Sequence, residues 1–106
     1  MEEEFEDTKK LGGNIELSGF SLLDRDTIVI VKKMVGSYAR KFSDTLDDFE
    51  KLSLRMKPVH NSEAPKNFEL YGKLVRSGKV ITSEVNDRNL FFAIDSIMKK
   101  IEKQIS

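Results

Sequence analysis

The chain has 106 residues, a mass of 12.1 kDa and 39% apolar residues, enough for one domain with a single core and too few for two. It has no cysteine, which excludes disulfides, thiolate nucleophiles and Cys-ligated metal sites. The longest apolar run, Ile28 to Val31, is far shorter than a membrane-spanning helix, and the acidic N-terminus is the reverse of a signal peptide. We therefore expect a soluble, cytoplasmic protein.

Charge is balanced overall but unevenly distributed. The 18 Lys and Arg residues match 18 Asp and Glu residues, so the formal net charge is zero. Five of the acids precede Lys9, however, and the body of the chain is therefore basic. We interpret residues 1–13, which end in two glycines, as a mobile acidic tail, and residues 14–106 as a single domain. The five acids are Glu2, Glu3, Glu4, Glu6 and Asp7.

The domain is predicted to begin with a strand and a long helix. Apolar and polar residues alternate over residues 14–19, as in a short strand. Ser21 and Asp24 can each cap the helix that follows, which is predicted to end near Ser43. The β-branched run over residues 27–31 favours a strand locally, but the helical period of the longer segment outweighs it. The predicted buried stripe is Ile28, Val31, Val35, Tyr38 and Phe42.

Three further strands are predicted after this helix. Apolar residues recur at every second position over residues 48–57 and again over residues 68–75. The sequence between them, residues 58–65, contains two prolines and is typical of an irregular loop. Ser77-Gly78 then supplies a tight turn into a strand over residues 79–85, which predicts a hairpin.

The chain is predicted to close with a second amphipathic helix, capped by Asn86 or Asp87. Its buried stripe is formed by isoleucine and leucine at helical spacing. The whole therefore predicts an α+β fold, a two-layer sandwich of order β-α-β-β-β-α, in which two helices pack on one face of a four-stranded, mainly antiparallel sheet. The stripe residues are Leu90, Ile94, Ile97 and Ile101.

No pattern in the sequence predicts catalysis. His60 is the only histidine and lies in a loop, and the pairs Asp24/Asp26 and Asp47/Asp48 are explained as helix caps and turn residues. The glycine pairs lack the spacing of phosphate-binding loops, and no ligand spacing indicates a metal site. We therefore expect no enzyme activity, no cofactor, no metal and no small-molecule substrate.

The basic residues of the strands form the most informative pattern. If the apolar positions of residues 48–57 face the helices, then Lys51, Arg55 and Lys57 project from the other face, where Tyr71 and Lys73 join them. Such a surface can neutralise nucleic-acid phosphates. Strand lysines also serve solubility and discourage edge pairing, and alternation alone does not decide between the two. Further cations lie on the exposed side of the last helix, at Lys99, Lys100 and Lys103.

The last helix supplies a resemblance. Residues 91–105 read FFAIDSIMKKIEKQI, and the A-I-D segment followed by Lys100 and Lys103-Gln104 resembles the terminal helix of the ribosome hibernation promoting factors. This family is also called ribosome-associated inhibitor A, protein Y or sigma-54 modulation proteins. The predicted element order and lengths over residues 14–105 are similar to those of the family as well.

The resemblance implies a protein that sits in the decoding region of the small ribosomal subunit, blocks the mRNA and tRNA sites and protects idle ribosomes. It implies contacts with ribosomal RNA through basic residues, of which Lys100 and Lys103 match the family motif directly. The acidic tail departs from the family pattern, and the chain matches the short form, without the dimerisation domain of the long one. The loop from Pro58 to Lys66 and the turn at residues 86–89 align only loosely with the family, so the resemblance does not assign Lys57, Lys66 or Arg88 as contact residues. The candidate RNA-binding set is Lys51, Arg55, Lys57, Tyr71, Lys73, Lys99, Lys100 and Lys103.

Two other functions fit the sequence. In the first, the acidic tail binds a basic protein partner and the strand cations are merely solvated. In the second, the protein is a generic double-stranded-RNA binder, although that fold has the order α-β-β-β-α and the strand over residues 14–19 counts against it.

Overall fold

The computed structural model describes residues 8–11, 14–57 and 67–105 and shows an α+β sandwich, with a sheet in one layer and two helices in the other. The predictions for His60, Lys66 and residues 1–7 lie outside the described residues. Neither helix combines the length and the apolar character needed to cross a membrane. The elements in chain order are β1 (Thr8–Leu11), β2 (Ile15–Ser18), α1 (Arg25–Thr45), β3 (Phe49–Met56), β4 (Phe68–Arg76), β5 (Lys79–Asp87) and α2 (Leu90–Ile105).

The strands of the sheet are arranged in the order in which they occur along the chain, from β1 to β5. β2 and β3 are parallel, and the other three neighbouring pairs are antiparallel. Parallel neighbours need a crossover connection, which α1 provides between β2 and β3. The predicted α+β class, the order β-α-β-β-β-α over residues 14–105 and the mainly antiparallel sheet are therefore confirmed.

The sheet has one more strand than the sequence predicted. Residues Thr8–Leu11 pair antiparallel with β2, with Lys9 opposite Leu17, so this part of the segment expected to be a mobile tail belongs to the sheet. Without β1, the outer edge of β2 would leave a row of backbone donors and acceptors unpaired. Leu11, the last residue of β1, is the register partner of Ile15, the first residue of β2.

The core lies between the two layers. The β-branched run that favoured a strand locally is helical, and α1 buries Val31, Val35 and Phe42 against the sheet. Burial of the apolar stripe along the whole helix stabilises the helical conformation, and this stabilisation outweighs the local preference of the β-branched residues for a strand. All four predicted stripe residues of α2 are buried as well. The sheet contributes Leu17, Leu52, Leu54, Met56, Leu70 and Leu74.

The N-cap of α1 is one of the two residues predicted from the sequence, whereas the N-cap of α2 is a different residue from those predicted. Asp24 is the N-cap of α1, and its carboxylate accepts a hydrogen bond from the backbone N–H of Thr27 at 2.8 Å. At α2, neither predicted cap occupies the cap position, because β5 continues to Asp87. Asn89 caps α2 instead, accepting from the N–H of Phe92 at 3.0 Å. The helix therefore begins at Leu90, just past the end of the strand.

Gly19 ends β2 in a conformation that other residues rarely adopt. Its φ is +81°, and a Cβ atom placed there would lie 2.2 Å from the backbone carbonyl oxygen of Met56. This close approach lets the chain leave β2 beside the end of β3, so that Phe20 can enter the core. Both the backbone conformation and the available space therefore require glycine at this position.

Candidate nucleic-acid interface

The face of the sheet opposite the helices carries most of the predicted RNA-binding residues, and we call it the open face. On β3, Leu52, Leu54 and Met56 are buried, so the residues between them point the other way. The strand registers place the alternate residues of β2, β4 and β5 on the same side. On these four strands its cations are Lys51, Arg55 and Lys73, with Lys57 directly after β3, and its carboxylates are Glu16, Glu69 and Glu84.

Two of the open-face cations are paired with carboxylates. The Nζ of Lys51 lies 3.0 Å from an Oε of Glu16 on β2, and the Nζ of Lys57 lies 3.4 Å from an Oε of Glu69 on β4. Both pairs are partly exposed, so they contribute little to stability. Only two of the four open-face cations can therefore bind an anion without first breaking an ion pair. The open face is accordingly less basic than the alternation of β3 alone predicted.

The remaining two cations lie next to an aromatic ring. Arg55 and Tyr71 are register partners on β3 and β4, and Lys73 follows Tyr71 on the same face of β4. Register partners have Cβ atoms about 5 Å apart, and alternate residues of a strand are separated by about 7 Å. We call Arg55, Tyr71 and Lys73 the Arg55 cluster. Its members are drawn from two strands that only the folded sheet places side by side.

The Arg55 cluster has unused binding capacity. Arg55 and Lys73 are exposed and have no ion-pair or hydrogen-bond partner among the described residues, and Tyr71 is 37% exposed. Ser53 is the register partner of Lys73 and lies two residues before Arg55 on β3, and its hydroxyl is buried without a hydrogen-bond partner in the described part of the chain. A groove on the open face is lined by these side chains and by the carboxylates of Glu16 and Glu84. Two cations and a flat ring are suited to binding phosphates and an unpaired base.

The predicted site residue Lys99 lies in the helical layer, away from the Arg55 cluster. Its Nζ is 3.1 Å from the carboxylate of Asp95 one turn earlier on α2. The hydroxyl of Tyr38 on α1 donates to the same carboxylate at 2.5 Å. The hydrogen bond from Tyr38, assisted by Lys99, lowers the pKa of Asp95, while burial and the Asp95 carboxylate raise the pKa of Tyr38. Asp95 therefore links α2 to α1 through the hydroxyl of Tyr38, and Lys99 forms an ion pair with the same carboxylate.

This link predicts a specific loss of stability in acid. Because the pKa of Asp95 is lower in the folded protein than in the unfolded chain, its contribution is complete above pH about 4 and disappears as the pH falls through the folded-state value. Replacing Asp95 by asparagine is expected to lower stability at neutral pH and to make the decline below about pH 4 shallower. Urea unfolding at several pH values measures both effects.

The control for this experiment is Asp44→Asn. Asp44 is an exposed carboxylate near the end of α1 that has no ion-pair or hydrogen-bond partner among the described residues. Because its removal breaks no contact among the described residues, it is expected to change the free energy of unfolding at neutral pH by less than about 0.5 kcal/mol. The same pH dependence in Asp95→Asn as in the unmodified chain would contradict the assignment of the link to Asp95.

Lys100 contacts the edge of the sheet. Its Nζ donates to the backbone carbonyl of Glu84 at 3.1 Å, and the side-chain amide of Gln104 donates to the carbonyl of Thr82 at 2.9 Å. Both carbonyls belong to β5, the last strand of the sheet, so α2 satisfies part of its outer edge. Lys100 and Gln104 belong to the motif on which the family resemblance rests, and in this fold they connect α2 to β5. Lys103 is exposed in the last turn of α2.

The residues that sequence reasoning missed on the open face are mainly acidic. Glu16, Glu69 and Glu84 are visible in the alternation of their own strands, but which cation each one meets depends on register. Ser53 was missed because a serine between two cations has no distinguishing pattern. The eight predicted site residues are thus divided by the structure into the Arg55 cluster, two open-face lysines in ion pairs, and three lysines on α2.

Comparisons with known proteins add no assignment to this geometry. No protein-family model matches the chain. A search of the curated proteins found no match either. Among residues 8–11, 14–57 and 67–105, no group of acidic or histidine side chains is arranged to hold a metal ion. By its structure, the protein is an α+β sandwich whose open face carries a cationic and aromatic cluster.

Proposed function

We propose that this protein binds RNA of the small ribosomal subunit through the open face of its sheet, in the decoding region, and inhibits translation by occupying the mRNA and tRNA sites. The proposal involves no chemical reaction and no cofactor. The cytoplasm is the compartment that such a partner requires.

One observation carries the proposal of RNA binding. Arg55 and Lys73 are exposed beside Tyr71 and have no carboxylate partner among the described residues. Each cation that contacts a phosphate releases a counterion, and Tyr71 stacking on an unpaired base is worth about 1–3 kcal/mol. The cluster therefore fits an exposed, single-stranded RNA segment better than the regular surface of a duplex.

The choice of the ribosome as the source of that RNA is supported by the resemblance of residues 91–105 and by the element order over residues 14–105. The motif positions Lys100 and Gln104 support the edge of β5 and so help to hold the open face in shape. We therefore place the RNA contacts mainly on the Arg55 cluster, with the paired cations Lys51 and Lys57 at its margins.

Cosedimentation tests the proposal. Purified protein mixed with vacant ribosomes is expected to travel with the small subunit at low salt and to dissociate as salt rises. Two phosphate contacts predict a slope of about −1.4 to −1.8 in a plot of log affinity against log salt, and additional contacts from the marginal lysines would steepen it. Failure to cosediment at low salt, or binding that salt does not weaken, would contradict the proposal.

A further inference from the structure

Glu84 continues the row of the Arg55 cluster onto β5. Arg55 on β3, Tyr71 on β4 and Glu84 on β5 are successive register partners across the open face. The backbone carbonyl of Glu84 accepts from Lys100 at the outer edge of the sheet, so it points away from β4. Tyr71 and Glu84 therefore form a non-hydrogen-bonded pair, in which Cα atoms are about 4.5 Å apart and the side chains are closest. The Glu84 side chain leaves the sheet directly beside the Tyr71 ring.

Among the described residues, the carboxylate of Glu84 has no hydrogen-bond or ion-pair partner. The other two open-face carboxylates, on Glu16 and Glu69, pair with lysines. Glu84 lines the same groove as Arg55 and Tyr71. A carboxylate repels phosphates but is a strong acceptor for N–H groups. Because Glu84 and Arg55 lie on opposite sides of Tyr71, a nucleotide stacked on the ring with its phosphate at Arg55 presents the edge of its base to Glu84.

Guanine is the base whose Watson–Crick edge matches a carboxylate. Its ring N1–H and its 2-amino group are two parallel donors, and the two oxygens of a carboxylate accept from both. Adenine and cytosine present one amino group beside a ring nitrogen that is itself an acceptor, and uracil presents one N–H between two carbonyls. Guanine therefore satisfies both carboxylate oxygens, whereas the other bases place an acceptor against at least one of them.

We infer that Glu84 selects guanine as the base that stacks on Tyr71, with the adjacent phosphate at Arg55. This inference names the RNA that the site prefers and rests on the function proposed above. A bidentate pair between a side chain and a base discriminates against the other bases by about 5- to 150-fold. The groove is open to water, which competes for the same hydrogen bonds, so a preference near the lower end of this range is expected.

The first test compares short RNAs that differ in one base. Oligouridylates carry guanosine, adenosine, cytidine or inosine at the central position, and dissociation constants are measured from the amide NMR shifts of Tyr71 and Glu84 in the full chain. The inference predicts at least about fivefold tighter binding of the guanosine RNA than of the adenosine, cytidine or all-uridine RNA. Inosine lacks the 2-amino group, and its RNA is expected to bind with intermediate affinity.

Two outcomes of this comparison have different meanings. Equal binding of the guanosine and adenosine RNAs would overturn the inference and leave the proposed RNA site in place. If none of the RNAs shifts these amides, the proposed function fails and the inference fails with it.

The second test is Glu84→Gln, which removes the charge and replaces one acceptor by a donor. The side chain is exposed and makes no polar contact among the described residues, so the variant is expected to fold normally. The preference for guanosine over adenosine should fall to within about twofold, even if overall affinity rises because a charge that repels phosphate is lost. The control Glu16→Gln removes a charge from the open face two strands from Tyr71 and should keep the preference. An undiminished preference in Glu84→Gln would overturn the inference.

The third test distinguishes Glu84 from Arg55 as the residue that selects guanine. Arginine commonly binds guanine through the acceptors N7 and O6, which lie on a different edge from the two donors. 7-Deazaguanosine lacks N7 and retains both donors, so its RNA is expected to bind the unmodified chain as tightly as the guanosine RNA does. Weaker binding of the 7-deazaguanosine RNA, together with a preference that survives in Glu84→Gln, would assign the selection to Arg55 and overturn the inference.

Discussion

Replacing Arg55 and Lys73 together by alanine is expected to weaken binding to vacant small ribosomal subunits by about 10- to 100-fold at low salt. Each substitution removes one cation that has no carboxylate partner among the described residues. The salt slope of binding should become shallower by about 1.4 to 1.8, because two phosphate contacts are lost. Fluorescence anisotropy or cosedimentation over a series of salt concentrations measures both quantities.

The matched control removes the same total charge from the opposite layer. Lys33 and Arg40 are exposed on α1 and have no ion-pair or hydrogen-bond partner among the described residues. The double variant Lys33→Ala/Arg40→Ala therefore changes the net charge of the protein equally without touching the open face. We expect it to bind within a factor of about three of the unmodified chain, because only distant, screened charges are lost. Equal weakening by the two double variants would show that net charge, and not the Arg55 cluster, governs binding.

Replacing Gly19 by alanine is expected to lower the free energy of unfolding by about 2–4 kcal/mol. The added Cβ would meet the carbonyl oxygen of Met56 at 2.2 Å in a backbone region with φ of +81°. Relief of this clash requires the end of β2 to move away from β3, which also disturbs the packing of the buried Phe20. Urea unfolding at neutral pH measures the loss.

The control is the same substitution at Gly36 in α1. Apart from its chain neighbours and the backbone of its own helix, no heavy atom lies within 4 Å of a Cβ placed here, and alanine is the better helix former by about 1 kcal/mol. Gly36→Ala should therefore leave the protein as stable as before or slightly more stable. If Gly19→Ala is as stable as the unmodified chain, the close approach of Gly19 to Met56 does not exist in solution.

Much of the fold could be predicted because the spacing of apolar residues along the sequence matches the positions that are buried in each helix and strand. The stripes of both helices and the alternation on β3 each depend on the spacing of residues within one element, which a sequence displays directly. The strand at Thr8–Leu11 was missed because a charged, glycine-flanked segment gives no periodic signal. Its pairing is determined by the exposed edge of β2, a property of the sheet as a whole.

The candidate site could be predicted only in part, for a related reason. Alternation places Lys51, Arg55 and Lys57 on one face, but the register decides that Glu16 and Glu69 meet two of these cations. Register is a relation between strands, and it cannot be obtained from the period of any one of them. The cap at Asn89 illustrates the same limit, since the length of β5 was determined by its pairing with β4.

Lysine footprinting shows directly whether RNA contacts the open face at the Arg55 cluster. The protein, free or bound to vacant small subunits, is treated briefly with an acylating reagent, and the modification of each lysine is quantified by mass spectrometry. Our account predicts that subunits protect Lys73 at low salt, that high salt reverses the protection, and that Lys33 reacts equally in both states. Equal reactivity of Lys73 with and without subunits under conditions of binding, or protection of Lys33 instead, would contradict the account.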